Sequence, residues 1–197
     1  MSDDPLRLFL VLRRGAVETL EEAAVLGGAA AVACVRGFEI PDEWRERPGK
    51  VCLRARNAAQ WAEVLELPHA LAGDPDGASV AALPPRRRSE RGPLLERLQA
   101  MSTDLGPPPS EAVGDGLTYV LNPALDMSSG KVVAQVAHAA VMAAEVLPEW
   151  ADAGCPGRLV SPPEGDFAAL TGKAVACVVD AGLTEVPAGT ITVVALQ

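Results

Sequence analysis

Asp126-Met127-Ser128-Ser129-Gly130-Lys131-Val132-Val133-Ala134-Gln135-Val136-Ala137-His138-Ala139-Ala140 is a polar turn that opens a helix of small residues. A hydroxyl at Ser128 or Ser129 accepts a free amide proton of the first turn, which fixes where the helix starts. Beyond that cap, Val132, Val133, Ala134, Val136, Ala137, Ala139 and Ala140 leave almost no wet face. Such a helix is predicted to be buried nearly all round.

Its polar exceptions are ordered. Lys131, Gln135 and His138 follow i, i+4, i+7 spacing and so share one stripe of an otherwise apolar cylinder. The stripe has to face a water-filled cleft or find partners inside, because an unpaired ammonium in a core is too costly to persist. Lys131 also sits where free amides and the helix dipole favour an anion, and its charge adds to the pull on a phosphate or a developing oxyanion. The spacing alone is equally satisfied by a buried helix whose Lys131 snorkels out and whose His138 is a satisfied core histidine. A Walker A phosphate loop is excluded, since its leading glycine and trailing Ser or Thr are replaced by Leu125 and Val132.

Met127-Ser128-Ser129-Gly130-Lys131, Ala134-Gln135 and His138-Ala139-Ala140 together resemble the M-x-x-G-K-x-x-A-Q-x-x-H-A signature of the type II peptidyl-tRNA hydrolases. Asp180-Ala181-Gly182-Leu183-Thr184-Glu185-Val186-Pro187-Ala188-Gly189-Thr190, followed by an apolar run from Ile191 to Leu196, is similar to that family's D-A-G-x-T-x-x-x-x-G-T ending. The resemblance covers about Gly116 to Gln197. It implies hydrolysis of the ester that joins a peptidyl group to the 3′ ribose of tRNA, with peptidyl-tRNA as partner and with no cofactor and no metal. The implied catalytic residues are Lys131, Asp180 and Thr184; the implied substrate-binding residues are Ser129, Gly130, Gln135, His138, Gly182 and Thr190.

Such a hydrolysis needs a positioned water, a group to orient or deprotonate it, and donors for the tetrahedral oxyanion. Asp180 closes the apolar run Ala174 to Val179, at the carboxyl end of a predicted strand, where open α/β sheets commonly place ligands. Gly182 permits a tight turn that brings Thr184 back toward it. Asp180 is then expected to orient the water or act as its base, Lys131 to hold Asp180 ionised and stabilise negative charge, and Thr184 to add a hydrogen bond. Without the resemblance, Asp180-Ala181-Gly182 reads as a plain turn and Thr184 as a strand-edge hydroxyl. Three features depart from the family pattern. Leu183 stands where a basic or polar residue is common, Glu185 stands where glutamine is common, and Ser161 to Thr171 is short and proline-bearing. A noncatalytic binding or scaffold module that kept the cleft is the competing expectation.

Composition bounds the rest. With 197 residues, 49% of them hydrophobic and 22% charged, the chain can bury one good core or two compact ones. No apolar run reaches the roughly 20 residues that span a bilayer, and Met1-Ser2-Asp3-Asp4 lacks the basic start of a signal peptide. A soluble cytoplasmic protein with no membrane contact is expected. Cys34, Cys52, Cys155 and Cys177 have no zinc-site spacing and read as free thiols. The net charge of −9 argues against a protein that merely coats nucleic acid. Of 17 basic side chains, all but Lys131, Arg158 and Lys173 lie before residue 113, including Arg86, Arg87, Arg88 and Arg91. Those arginines are either a phosphate-contacting patch or a solvated basic linker.

Strands are predicted at Arg7 to Leu12, Lys50 to Arg54, Ala78 to Leu83, Leu117 to Asn122, Gly157 to Val160, Ala174 to Val179 and Ile191 to Leu196. A capping box, Thr19 with Glu22, starts a small-residue helix that runs to about Val35, and Asn57 caps another to about Leu65. Asp166 to Leu170 is at most a helical turn. Gly92 to Met101 carries the leucine spacing of a short amphipathic helix, inside a joint marked by Pro84-Pro85 and Gly106-Pro107-Pro108-Pro109.

The two ends of the chain share an element order. The expected fold is α/β, a three-layer unit with a mixed, mostly parallel four-stranded sheet, present as two related halves that form a pseudo-dimer. The halves are 5–84, degenerate, and 114–197, hydrolase-like, joined by a Pro/Arg-rich linker at 85–113. Sliding them together sets Val80 to Leu83 against Val193 to Leu196, Asp74 against Asp180, and Glu21, Val25 and Gly28 against Lys131, Gln135 and His138. The first copy would then replace a homodimer mate and leave the chain a monomer, a homodimer being the other arrangement allowed. Two unrelated βαβ units would give a similar order.

Overall fold

Residues Leu8 to Leu12 are buried on both faces of their strand, so cover is needed above and below it. The computed structural model describes residues 4–102, 104–163, 165, 167–182 and 185–197. Its first half runs β1 (Arg7–Arg13), α1 (Leu20–Gly37), α2 (Asp42–Glu46), β2 (Gly49–Ala55), α3 (Ala58–Leu65), β3 (Ala70–Gly73), β4 (Ser79–Arg86), a 3-10 turn at Arg88–Glu90, α4 (Gly92–Arg97) and β5 (Gln99–Ala100). The second runs β6 (Leu117–Leu121), α5 (Ser129–Val146), α6 (Pro148–Asp152), β7 (Gly157–Val160), α7 (Phe167–Thr171), β8 (Ala176–Val179) and β9 (Ile191–Leu196). Among the described residues no helix is long and apolar enough to cross a membrane.

Two mixed sheets result, with strand orders β3-β4-β1-β2-β5 and β7-β6-β9-β8. The mostly parallel sheet expected from sequence is corrected. Only β1 with β2 and β6 with β7 run parallel, each across a helical crossover, while the remaining pairs are antiparallel. The first sheet also has five strands rather than four, because β5 from the stretch read as linker joins the edge of β2. That stretch packs as well, with Leu95 and Leu98 of α4 and its exit buried beside Trp61 and Val64.

Helices cover both outer faces and fill the middle. Phe9, Val11, Leu53 and Leu83 meet α3 and α4 on one side of the first sheet, while Leu8, Leu10, Leu12 and Cys52 meet the central helices α1 and α5 on the other. Tyr119, Leu121, Leu159 and Val193 of the second sheet close over the same two helices, and Val120, Val160 and Val194 pack on Phe167 of α7. The central pair approaches closely. A Cβ on Gly27 would stand 2.8 Å from Val133 Cγ1, and one on Gly28 would stand 3.1 Å from Ala140 Cβ. Each central helix also reaches the outer parallel strand of the other half, α1 against β7 and α5 against β2. The Leu159 N–H donates to Glu21 Oε1 across that boundary (3.2 Å).

Local details follow the chemistry with two changes. Thr19 Oγ1 accepts from the Glu22 N–H (3.1 Å), but Glu22 reaches back to the Glu18 N–H (3.1 Å) rather than to that of the cap residue. Pro84 and Pro85 lie inside β4 instead of ending it; they follow its pairing with β3, next to the register shift against β1, where missing amides cost least. Of the turn expected at Asp166 to Leu170, residues 167–170 are helical and Asp166 lies outside the described residues.

Candidate active site at the start of α5

Ser128 caps α5: its Oγ accepts from the Lys131 N–H (3.2 Å). The anion that the helix N-terminus attracts is supplied by the chain itself. Glu185 accepts from the Ser128 N–H (2.8 Å) and from the Ser128 hydroxyl (2.7 Å). The glutamate that looked like a departure from the family pattern therefore has a physical role at this turn.

Asp180 follows β8 directly. Its backbone is clamped in both directions, the Asp180 N–H donating to Thr190 O and the Gly189 N–H donating to Asp180 O, each at 2.9 Å. Gly182 has a φ of +74°, and a Cβ there would lie 2.6 Å from Ala188 N, so the turn requires glycine twice over.

The Asp180 side chain then meets the α5 stripe. Lys131 Nζ donates to Oδ2 at 2.5 Å, Gln135 Nε2 donates to the same oxygen at 2.6 Å, and the Gly182 N–H donates to Oδ1 at 2.8 Å. Gln135 is held in turn by Thr192 Oγ1, which donates to Gln135 Oε1 (2.9 Å) and also reaches Val178 O (3.3 Å). Asp180 is only 7% exposed. Burial would raise its carboxyl, but the Lys131 hydrogen bond and charge, the Gly182 amide and Gln135 outweigh that and hold it below the ordinary carboxylate range. His138 lies along the same stripe. Burial first, and the Lys50 charge second, bring its imidazole down to about 3, against a smaller upward pull from Asp180, so it is neutral at pH 7.

Of the residues expected from sequence, Lys131, Asp180, Gln135 and Gly182 converge, with His138 further along the stripe. Thr190 contributes the backbone carbonyl that closes the loop. Ser129 and Gly130 are not presented to the cleft. Ser129 is 2% exposed and its Oγ accepts from the Leu105 N–H (3.3 Å), in a groove bounded by Pro107 and Pro108. Gly130 is small for a packing reason, since a Cβ would stand 2.6 Å from Met101 O. Thr184 lies outside the described residues. Thr192 was missed; the signal was a lone hydroxyl in the apolar run Ile191 to Leu196. In the basic cluster, Arg87 is engaged structurally, donating to Asp4 O and to Glu43 Oε2, both at 2.6 Å.

The arrangement offers an ionised carboxylate with fixed orientation, a cation against it, and a neutral imidazole further along the helix. Among the described residues no group of three or more His, Cys, Asp or Glu side chains converges to hold a metal ion. No family model matches the chain, and no solved structure matches it significantly.

Proposed function

We propose that the chain hydrolyses the ester bond of peptidyl-tRNA in the cytoplasm, releasing peptide and free tRNA. The observation that carries this reading is the 2.5 Å contact between Lys131 Nζ and Asp180 Oδ2, which joins the two sequence blocks that resemble the hydrolase family. Asp180 with a lowered pKa is a weak base, so its role is to orient the attacking water through the lone pairs its three donors leave open. Lys131 stabilises the oxyanion that develops as water adds to the ester carbonyl. Gln135 fixes the carboxylate, and Thr184 adds a hydrogen bond to the same centre.

The first half serves as an internal mate in this reading, giving a single-chain pseudo-dimer. Its support is register. With Val80 set against Val193, Leu12 pairs with Val80 as Leu121 pairs with Val193, and Ala72 pairs with Val80 as Val178 pairs with Val193. Asp74 and Asp180 then coincide, each donating its N–H at 2.9 Å to the carbonyl across its loop, from Ala78 and Thr190 respectively. The loop after Asp74 is too short to carry a counterpart of residues 181–189.

A second reading, a binding module without turnover, is favoured by Glu185 filling the α5 N-terminus and by the donors that already engage both Asp180 oxygens. Incubating the full chain with tRNA carrying a labelled N-blocked peptide separates the two. Catalytic release of the label supports the hydrolase; saturable tRNA binding with the ester intact supports the module.

A further inference from the structure

Alternate side chains of a strand point to opposite faces, and Leu53 of β2 lies in the outer core while Cys52 lies in the central one. Lys50 and Arg54 therefore share the Cys52 side, which faces α5; Lys50 is also in register with Leu8 of the central core. On this side of the junction Arg54 is matched by Asp104, and Lys131 by Asp180. Lys50 has no such match. Its Nζ is buried without a hydrogen-bond partner among the described residues. It sits 4.9 Å from the centre of the Trp44 ring, whose own Nε1–H is already given to Gly49 O (2.8 Å).

Lysine ordinarily carries its ammonium out to water along an apolar stem. Here part of the side chain stays open while the charged head turns inward. Burial brings that ammonium down to about 7, and its charge acts on His138 of α5, whose imidazole likewise has no hydrogen-bond partner among the described residues. Three cations, Lys50, Arg54 and Lys131, stand against two carboxylates, Asp104 and Asp180, in a chain whose net charge is −9. A buried cation left over in this way destabilises the fold unless something fills the place opposite it.

We infer that Lys50 and His138 form an oxyanion subsite at the junction of β2, α2 and α5, which takes a phosphodiester-type monoanion. One anion oxygen accepts from the Lys50 ammonium and another from the imidazole N–H, and the single surplus positive charge matches a monoanion. Both residues are partly open, which gives the anion its way in. The subsite itself stands without the hydrolase reading; only the source of the anion, the last phosphodiester of the tRNA acceptor end, rests on it. The first half thereby supplies a binding residue to the cleft formed by the second.

The test is titration of the full chain with dimethyl phosphate, with acetate as a parallel arm, read by the His138 ring resonances and by thermal unfolding. A saturable shift at His138, a raised unfolding temperature, and an affinity reduced about tenfold or more in Lys50→Met are expected. Lys50→Arg, which keeps the charge, retains the response and serves as the comparison if Lys50→Met does not fold. Absence of a saturable shift, or an equal shift in Lys50→Met, overturns the subsite; a response to acetate but not to dimethyl phosphate overturns the phosphodiester assignment. Neither readout depends on ester cleavage, so a chain without turnover can still pass.

Discussion

Burial works against the charge on Asp180, and the donors around it win. Since its folded pKa lies below the ordinary value, the carboxylate stabilises the fold above that ordinary value, and the contribution is lost as pH falls through the lowered one. Replacing Lys131 with Met removes the strongest of these donors. Carbon-detected NMR of the Asp180 carboxyl should then show its titration moved upward, and an unchanged midpoint would mean that Lys131 does not hold the charge. Lys50 carries the opposite sign. Its pKa falls from 10.5 to about 7, so the unfolded chain binds more protons between those values, and stability rises with pH across that window. Lys50→Met should therefore be more stable than the native chain at pH 7, by on the order of a few kcal/mol, with the difference fading toward pH 10.5. Denaturant unfolding at both pH values measures it, and a destabilised variant at pH 7 would show that the ammonium is satisfied.

At the scale of elements, the closest packing is that of α1 on α5, and it depends on glycine. Branched carbons at position 27 must displace Val133, so Gly27→Val should cost about 1–3 kcal/mol in chemical denaturation, more than any loss of helix propensity explains. A neutral result would mean that the helices are looser than described. The same contact shows what a sequence discloses. α5 was legible because its stripe, cap and small residues all agree, and the Lys131, Gln135 and Asp180 cluster was legible because the stripe pointed to it. β3 was not, since Ala70-Leu71-Ala72-Gly73 has almost no strand propensity and is held by its pairing with β4. β5 was hidden for a related reason: two residues, Gln99 and Ala100, pair with β2 and carry no pattern of their own. Ser129 and Gly130 matched a motif, but their surroundings come from Leu105 and Met101, far along the chain, and no local signal reports that.

At the scale of the molecule, two sheets share a strand order and enclose one helix pair, and each central helix touches the outer parallel strand of the other half. That exchange covers internally the faces that a mate would otherwise cover, without the entropy of association. Sedimentation at micromolar concentration should give the mass of a single chain, and a stable dimer would contradict the internal mate. The central claim, that the Lys131 and Asp180 contact performs ester hydrolysis, is tested most directly by a single-turnover release experiment. Enzyme in excess over labelled peptidyl-tRNA is compared with Lys131→Ala and Asp180→Asn, their folding checked by circular dichroism. The account predicts release by the native chain and a loss of about a hundredfold or more in each folded variant. Intact ester with the native chain, or release undiminished in both variants, would contradict it.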